Sequence, residues 1–164
     1  MKKVIFYTFV FVSLLLVSKR SAAQDYKTAL GLKFGGYENG PSIKYFMLNS
    51  VALEGIIGIR NHGLVITGLY EFHQEAFGIP ELKFYYGAGA HLGSIGAGVY
   101  QRFNGTNELY NKAQLLLGVD GVLGLEYRIP KSPLAVSLDL NPRAELATGP
   151  FFDIAPGLGI KYVF

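Results

Sequence analysis

The chain of 164 residues has no cysteine. That excludes a disulfide framework, thiolate chemistry and a lipid anchor carried on a Cys. Beyond the N-terminal region no apolar run approaches the length of a spanning helix, so helical membrane crossing is excluded. No His-Glu-x-x-His, no Gly-x-Ser-x-Gly and no metal-ligand cluster occurs. Gly87–Gly89 and Gly96–Gly98 are not phosphate loops, because no helix follows them. The sequence therefore nominates no catalytic, no cofactor-binding and no metal-binding residue, and it implies no cofactor.

A strong charge of one sign is also missing. The formal net charge is +3, but Lys2, Lys3, Lys19 and Arg20 all fall in the first 23 residues. Those residues read as a secretory signal peptide: a basic start, an apolar run from Val4 to Ser18, and small residues at Ser21–Ala23. Lys19 and Arg20, between that run and the cleavage site, depart from the usual pattern. Cleavage before Gln24 leaves 11 basic against 12 acidic residues, a formal charge of −1. A nucleic-acid partner is thereby not expected. The domain reading is residues 1–23 as signal and 24–164 as one folded unit.

What the chain does have is apolar character without helices. Half of its residues are hydrophobic and mean hydropathy is +0.27. An exported, apolar chain with no spanning helix points to a membrane β-barrel, the other structure that satisfies its own backbone in lipid.

The pattern agrees. Counting back from the C-terminus, Phe164, Tyr162, Ile160, Leu158, Pro156 and Ile154 alternate with Val163, Lys161, Gly159, Gly157 and Ala155. A period of two is a strand with one bulky apolar face. The same alternation predicts strands near 26–35, 42–48, 51–60, 64–73, 82–92, 115–128, 134–141 and 154–164. Asn39–Gly40 supplies a hairpin signal. Residues 93–113 form the longest irregular stretch, with Ile95–Phe103 in part a continuation of the fifth strand. The fold expected is all-β, an eight-stranded antiparallel up-and-down transmembrane barrel.

Two further features support that reading. Charged residues fall on the second face: Lys27, Lys33, Lys44, Glu54, Arg60, Glu71, Lys83, Asp120, Glu126, Arg128, Asp139 and Lys161. Glycines share that face, which suits a narrow interior where large side chains need small neighbours. Tyr26, Tyr45, Tyr70, Phe72, Phe84, Tyr86, Tyr127, Tyr162 and Phe164 gather on the apolar face at one end, as an interfacial girdle requires. In that topology both termini are periplasmic. The 61–63 turn is then short for an outer loop, and the 74–81 link long for an inner one.

The alternation, the terminal Phe164, the run Gly118–Tyr127 (GVDGVLGLEY) and the closing Pro156–Phe164 (PGLGIKYVF) together resemble small outer-membrane barrels of the OmpA/OmpX-like class, of the type found in Bacteroidetes. That resemblance covers residues 24–164. It implies a bacterial outer-membrane location, a monomer, contact with phospholipid and lipopolysaccharide, and recognition of the C-terminal strand by the barrel-assembly machinery.

The resemblance implies no activity. The lumen charges are expected to form a packed salt-bridge plug, with a narrow ion or proton path as the alternative. Asp120 and Glu126 are too far apart along one strand to act as a carboxylate pair. A lipid-A-modifying enzyme is the third reading. Against it, His91 and Ser94 point to opposite faces, His62 has no nearby serine, and His73 lies at the inner end. The outer loops, with Tyr100, Arg102, Phe103, Tyr110, Phe151 and Phe152, are the remaining candidate interaction surface.

Overall fold

Period-two alternation can be satisfied only if every strand finds neighbours on both edges, and the chain achieves this by closing on itself. The computed structural model describes residues 26–35, 37–60, 63–101, 105–147 and 151–164. The predicted signal segment, His62 and the Thr148–Pro150 turn lie outside the described residues, as do Arg102 and Phe103. Among the described residues there are ten strands: β1 (Thr28–Gly35), β2 (Gly40–Leu48), β3 (Val51–Arg60), β4 (Gly63–Ala76), β5 (Ile79–Ile95), β6 (Gly98–Gln101), β7 (Asn107–Tyr110), β8 (Gln114–Arg128), β9 (Leu134–Glu145) and β10 (Phe151–Val163).

Eight of them form a closed antiparallel barrel in the order β1-β10-β9-β8-β5-β4-β3-β2, and β6 and β7 form a separate two-stranded hairpin. The closing seam pairs Ala29 with Val163 through to Gly35 with Gly157. The all-β, eight-stranded, up-and-down barrel expected from the alternation is the architecture observed, with every barrel neighbour antiparallel.

Three boundaries differ from the sequence reading, each for a local reason. The 74–81 link is a two-residue hairpin turn: Phe77 and Gly78 have φ of 55° and 69°, and Ala76 pairs with Ile79. Positive φ at both central positions marks a type I′ turn. Phe is an unusual occupant, so composition concealed it. Second, β9 runs to Glu145 and β10 begins at Phe151, because the pairing between these two strands continues past Pro142, the partner of Ile154, to Glu145 and Phe151. Third, β5 extends to Ile95, but the stretch beyond it folds back as the β6–β7 hairpin, with Val99 paired to Leu109.

The side-chain distribution is inverted relative to a water-soluble barrel. Outward residues are apolar and open, with Ile66 56%, Leu117 45%, Leu138 63% and Ile160 46% exposed. Inward residues are charged and closed, with Lys44 and Glu71 both at 0% and Lys161 at 1%.

Candidate functional site

The lumen is the chemically distinctive part of the molecule, and strand register builds it. On β2, β3, β4, β8, β9 and β10 the residues facing inward include Lys44, Glu54, Glu71, Glu126, Asp139 and Lys161, all buried. Lys44 Nζ sits 3.2 Å from Glu54, 2.8 Å from Glu71 and 3.1 Å from Glu126. Lys161 Nζ lies 3.1 Å from Glu54 and 3.8 Å from Glu126. Two ammonium groups thus share three carboxylates. The Lys44 ammonium also lies 4.5 Å from the centre of the Tyr85 ring. Dense pairing is what a narrow interior demands, because an uncompensated buried charge costs several kcal/mol.

Above this cluster, Lys33 pairs with Asp139 at 3.1 Å, and Asp139 accepts hydrogen bonds from Tyr85 Oη and Asn141 Nδ2, each at 2.5 Å. Higher still is a third cluster. His91 Nδ1 is 2.8 Å from Asp120 and His91 Nε2 is 3.0 Å from Glu145. Arg143 Nε donates to Asp120, and its Nη2 reaches Glu38 at 3.3 Å and Thr67 at 3.2 Å. Thr67 Oγ1 donates to Glu38 at 2.7 Å. The Arg143 guanidinium lies 4.8 Å from the Tyr37 ring centre. Asp120 and Glu126 therefore belong to different clusters, as their spacing along β8 requires.

Apolar groups separate and cap these layers. Ile56, Leu69, Tyr85 and Val122 form a waist. At the far end Val65, Ile95, Tyr100 and Leu116 pack together, with Tyr110 of the β6–β7 hairpin against them. At the end holding the termini, Tyr26 meets Phe46 edge-on at 5.1 Å, Phe46 meets His73 at 4.8 Å, and His73 stacks on Tyr85 at 5.0 Å. Tyr26 Oη donates to Glu126, and His73 Nε2 is 2.9 Å from Glu71.

Most lumen residues expected from the sequence are where alternation puts them: Lys33, Lys44, Glu54, Glu71, Asp120, Glu126, Asp139 and Lys161 are all buried. Lys27 is not. It precedes β1, is exposed, and its ammonium lies 5.6 Å from the Tyr45 ring centre. Tyr26, expected in the outer girdle, instead turns inward, where it donates to Glu126 and meets Phe46 edge-on. Val51, expected outward, is buried beside the irregularity between Phe46 and Leu48. Lys83 and Arg128 are half-buried. The Arg60 side chain lies outside the described residues.

Four buried lumen charges had not been expected there: Glu38, Arg143, Glu145 and Asp153. Arg143 and Glu145 continue the period set by Asp139 and Asn141, a signal masked by Pro142, which reads as a strand stop. Asp153 continues the inward row of β10 in the same way. Glu38 lies in a loop and carries no periodic signal; only its insertion into the barrel mouth reveals it.

The ring nitrogens of the described histidines that are bonded, His73 Nε2 and both of His91, are bonded to carboxylates and not to a hydroxyl. Ser94 is exposed on the outward face while His91 is buried, and both His91 ring nitrogens face carboxylates. Among the described residues, no cluster of His, Asp or Glu has the arrangement of a metal site.

No protein-family model and no curated protein sequence matches the chain. Among solved structures, the chain is similar to Neisserial surface protein A (NspA), with 11% identity over 84% of this chain and 93% of that one, at a TM-score of 0.49.

Proposed function

We propose that the chain is a non-enzymatic, integral outer-membrane β-barrel of the OmpA/OmpX-like class, with an envelope-structural or surface-interaction role exerted through its outer loops. One observation carries this reading: a closed barrel with its ion pairs inside and a continuous apolar belt outside. On β8 the outward row from Leu115 to Tyr127 rises about 40 Å along the strand and, at the usual barrel tilt, about 30 Å along the axis. That matches a bilayer core. Water offers no reason to expose such a belt, whereas lipid does.

The aromatic rim supports the orientation with both termini periplasmic. Tyr45, Tyr70, Phe72, Tyr86, Tyr127 and Phe164 are exposed near the end that holds the termini, and Phe72 stacks on Tyr86 at 5.6 Å. In this reading the partners are phospholipid and lipopolysaccharide around the belt and the assembly machinery at the C-terminal strand. The barrel works as a monomer, and residues 1–23 direct export. The layered, ion-paired and capped lumen argues against an ion channel. His73 Nε2 and both ring nitrogens of His91 are bonded to carboxylates rather than to a hydroxyl, which argues against a hydrolytic enzyme.

The test is membrane fractionation of the native chain with gel mobility before and after boiling. A folded barrel is recovered with the outer membrane and changes mobility on heating. Recovery in the soluble periplasmic fraction, with unchanged mobility, overturns the reading.

A further inference from the structure

Two hydrogen-bonded networks approach each other halfway along β9 without a direct bond among the described residues. One contains Lys33, Asp139 and Asn141; the other contains Glu38, Thr67, Asp120 and Arg143. A cavity of about 20 Å³ touches both, with Lys33 and Asn141 from the first and Glu38, Thr67, Asp120 and Arg143 from the second, its remaining walls being mostly apolar, with Ile56, Leu69 and Pro156 among them. Such a space accommodates one water, and polar lining is the condition for holding it.

The lining also specifies what fits. Among the described residues, Glu38 Oε2 and Arg143 Nη1 have no hydrogen-bond partner, although their residues are only 7% and 3% exposed. The carboxylate oxygen requires a donor and the guanidinium N–H an acceptor. Leaving either group bare in the interior costs about 1–3 kcal/mol, more for a charged group. An anion would meet Arg143 and Lys33 but oppose Glu38 and Asp120. A cation would meet the carboxylates but oppose the two bases. Water donates and accepts at once.

We propose that this cavity is a binding site for a single long-lived water, which donates to Glu38 Oε2 and accepts from Arg143 Nη1. The water adds a second link between Glu38 and Arg143, which already meet through Oε1 and Nη2, and fixes the Tyr37–Glu38 loop inside the barrel mouth. The proposal does not depend on the membrane assignment, since it concerns only the lumen.

High-resolution crystallography of the full chain tests it directly. A density peak within hydrogen-bond distance of both atoms supports the site. A bromide or rubidium anomalous peak there, or side chains that close the cavity on each other, overturns it. In solution, oxygen-17 relaxation dispersion counts slowly exchanging waters. The Glu38→Leu, Arg143→Met double variant removes both demands and is expected to lose one such water; an unchanged amplitude in a variant that keeps its heat-dependent mobility overturns the site. The crystallographic arm uses the native chain, so it decides the matter even if the variant does not fold.

Discussion

At the scale of single residues, the lysines show how position decides what a charge does. Lys27 and Lys44 occupy the same face by sequence, yet one is exposed and the other has no exposure at all. Replacing Lys44 by Met removes an ammonium that three carboxylates share. Breaking a buried pair from one side costs about 3–5 kcal/mol. The expected outcome is a large drop in the urea midpoint for Lys44→Met and a change within about 0.5 kcal/mol for Lys27→Met. Equal effects would refute the assignment. His91 makes the parallel case: with both ring nitrogens against carboxylates, His91→Ala leaves Asp120 and Glu145 short of a partner each. A loss of about 3 kcal/mol or more is expected, read from equilibrium unfolding of the refolded protein.

The glycines extend the same logic. A Cβ at Gly157 would stand 2.2 Å from Asp139 Oδ1 and 2.7 Å from Asn141 Nδ2, whereas one at Gly68 would meet nothing within 4 Å. Gly157→Ala is therefore expected to destabilise by about 1–3 kcal/mol through overpacking, and Gly68→Ala to be tolerated. Thermal or urea unfolding compares them. A tolerated Gly157→Ala would mean that the Lys33–Asp139 pair is not held as closely as the structure places it.

At the scale of elements, the eight barrel strands were legible because inside and outside impose opposite chemistry on alternate residues. Their ends were less so. β9 and β10 reach beyond the expected limits because their mutual pairing continues past Pro142 to Glu145 and Phe151, while the pairing of β9 to β8 lapses at Asn141 and Pro142, an interruption of the kind that admits proline within a sheet. The Phe77–Gly78 turn was hidden because Phe carries no turn signal. Its φ of 55° lies in a region where a bulky residue is strained and Asn is comfortable. Phe77→Asn is expected to leave the fold intact and raise stability by a few tenths to about 1 kcal/mol. A clear loss in the unfolding midpoint would instead mark the Phe77 ring, 84% exposed, as an anchor in the surrounding phase.

At the scale of the whole molecule, the stacked layers of ion pairs and apolar caps make the lumen a filled core. Planar bilayers holding the purified native barrel are expected to show no steady ion current. A stable conductance, sensitive to Arg143→Met, would show that the layers part and that the channel reading is the better one.

The sequence by itself determined the fold class, the sense of each strand face and the location of most lumen charges, because period-two alternation leaves a strand no other way to separate oil from ions. It also determined the terminal aromatic strand. Tertiary structure decided the pairing. Which carboxylates Lys44 and Lys161 share depends on register across five strands. That Glu38 enters the lumen from a loop depends on Arg143, distant in sequence and brought opposite only by closure. Partnership among charges is a long-range property, and local alternation, however regular, carries no information about it.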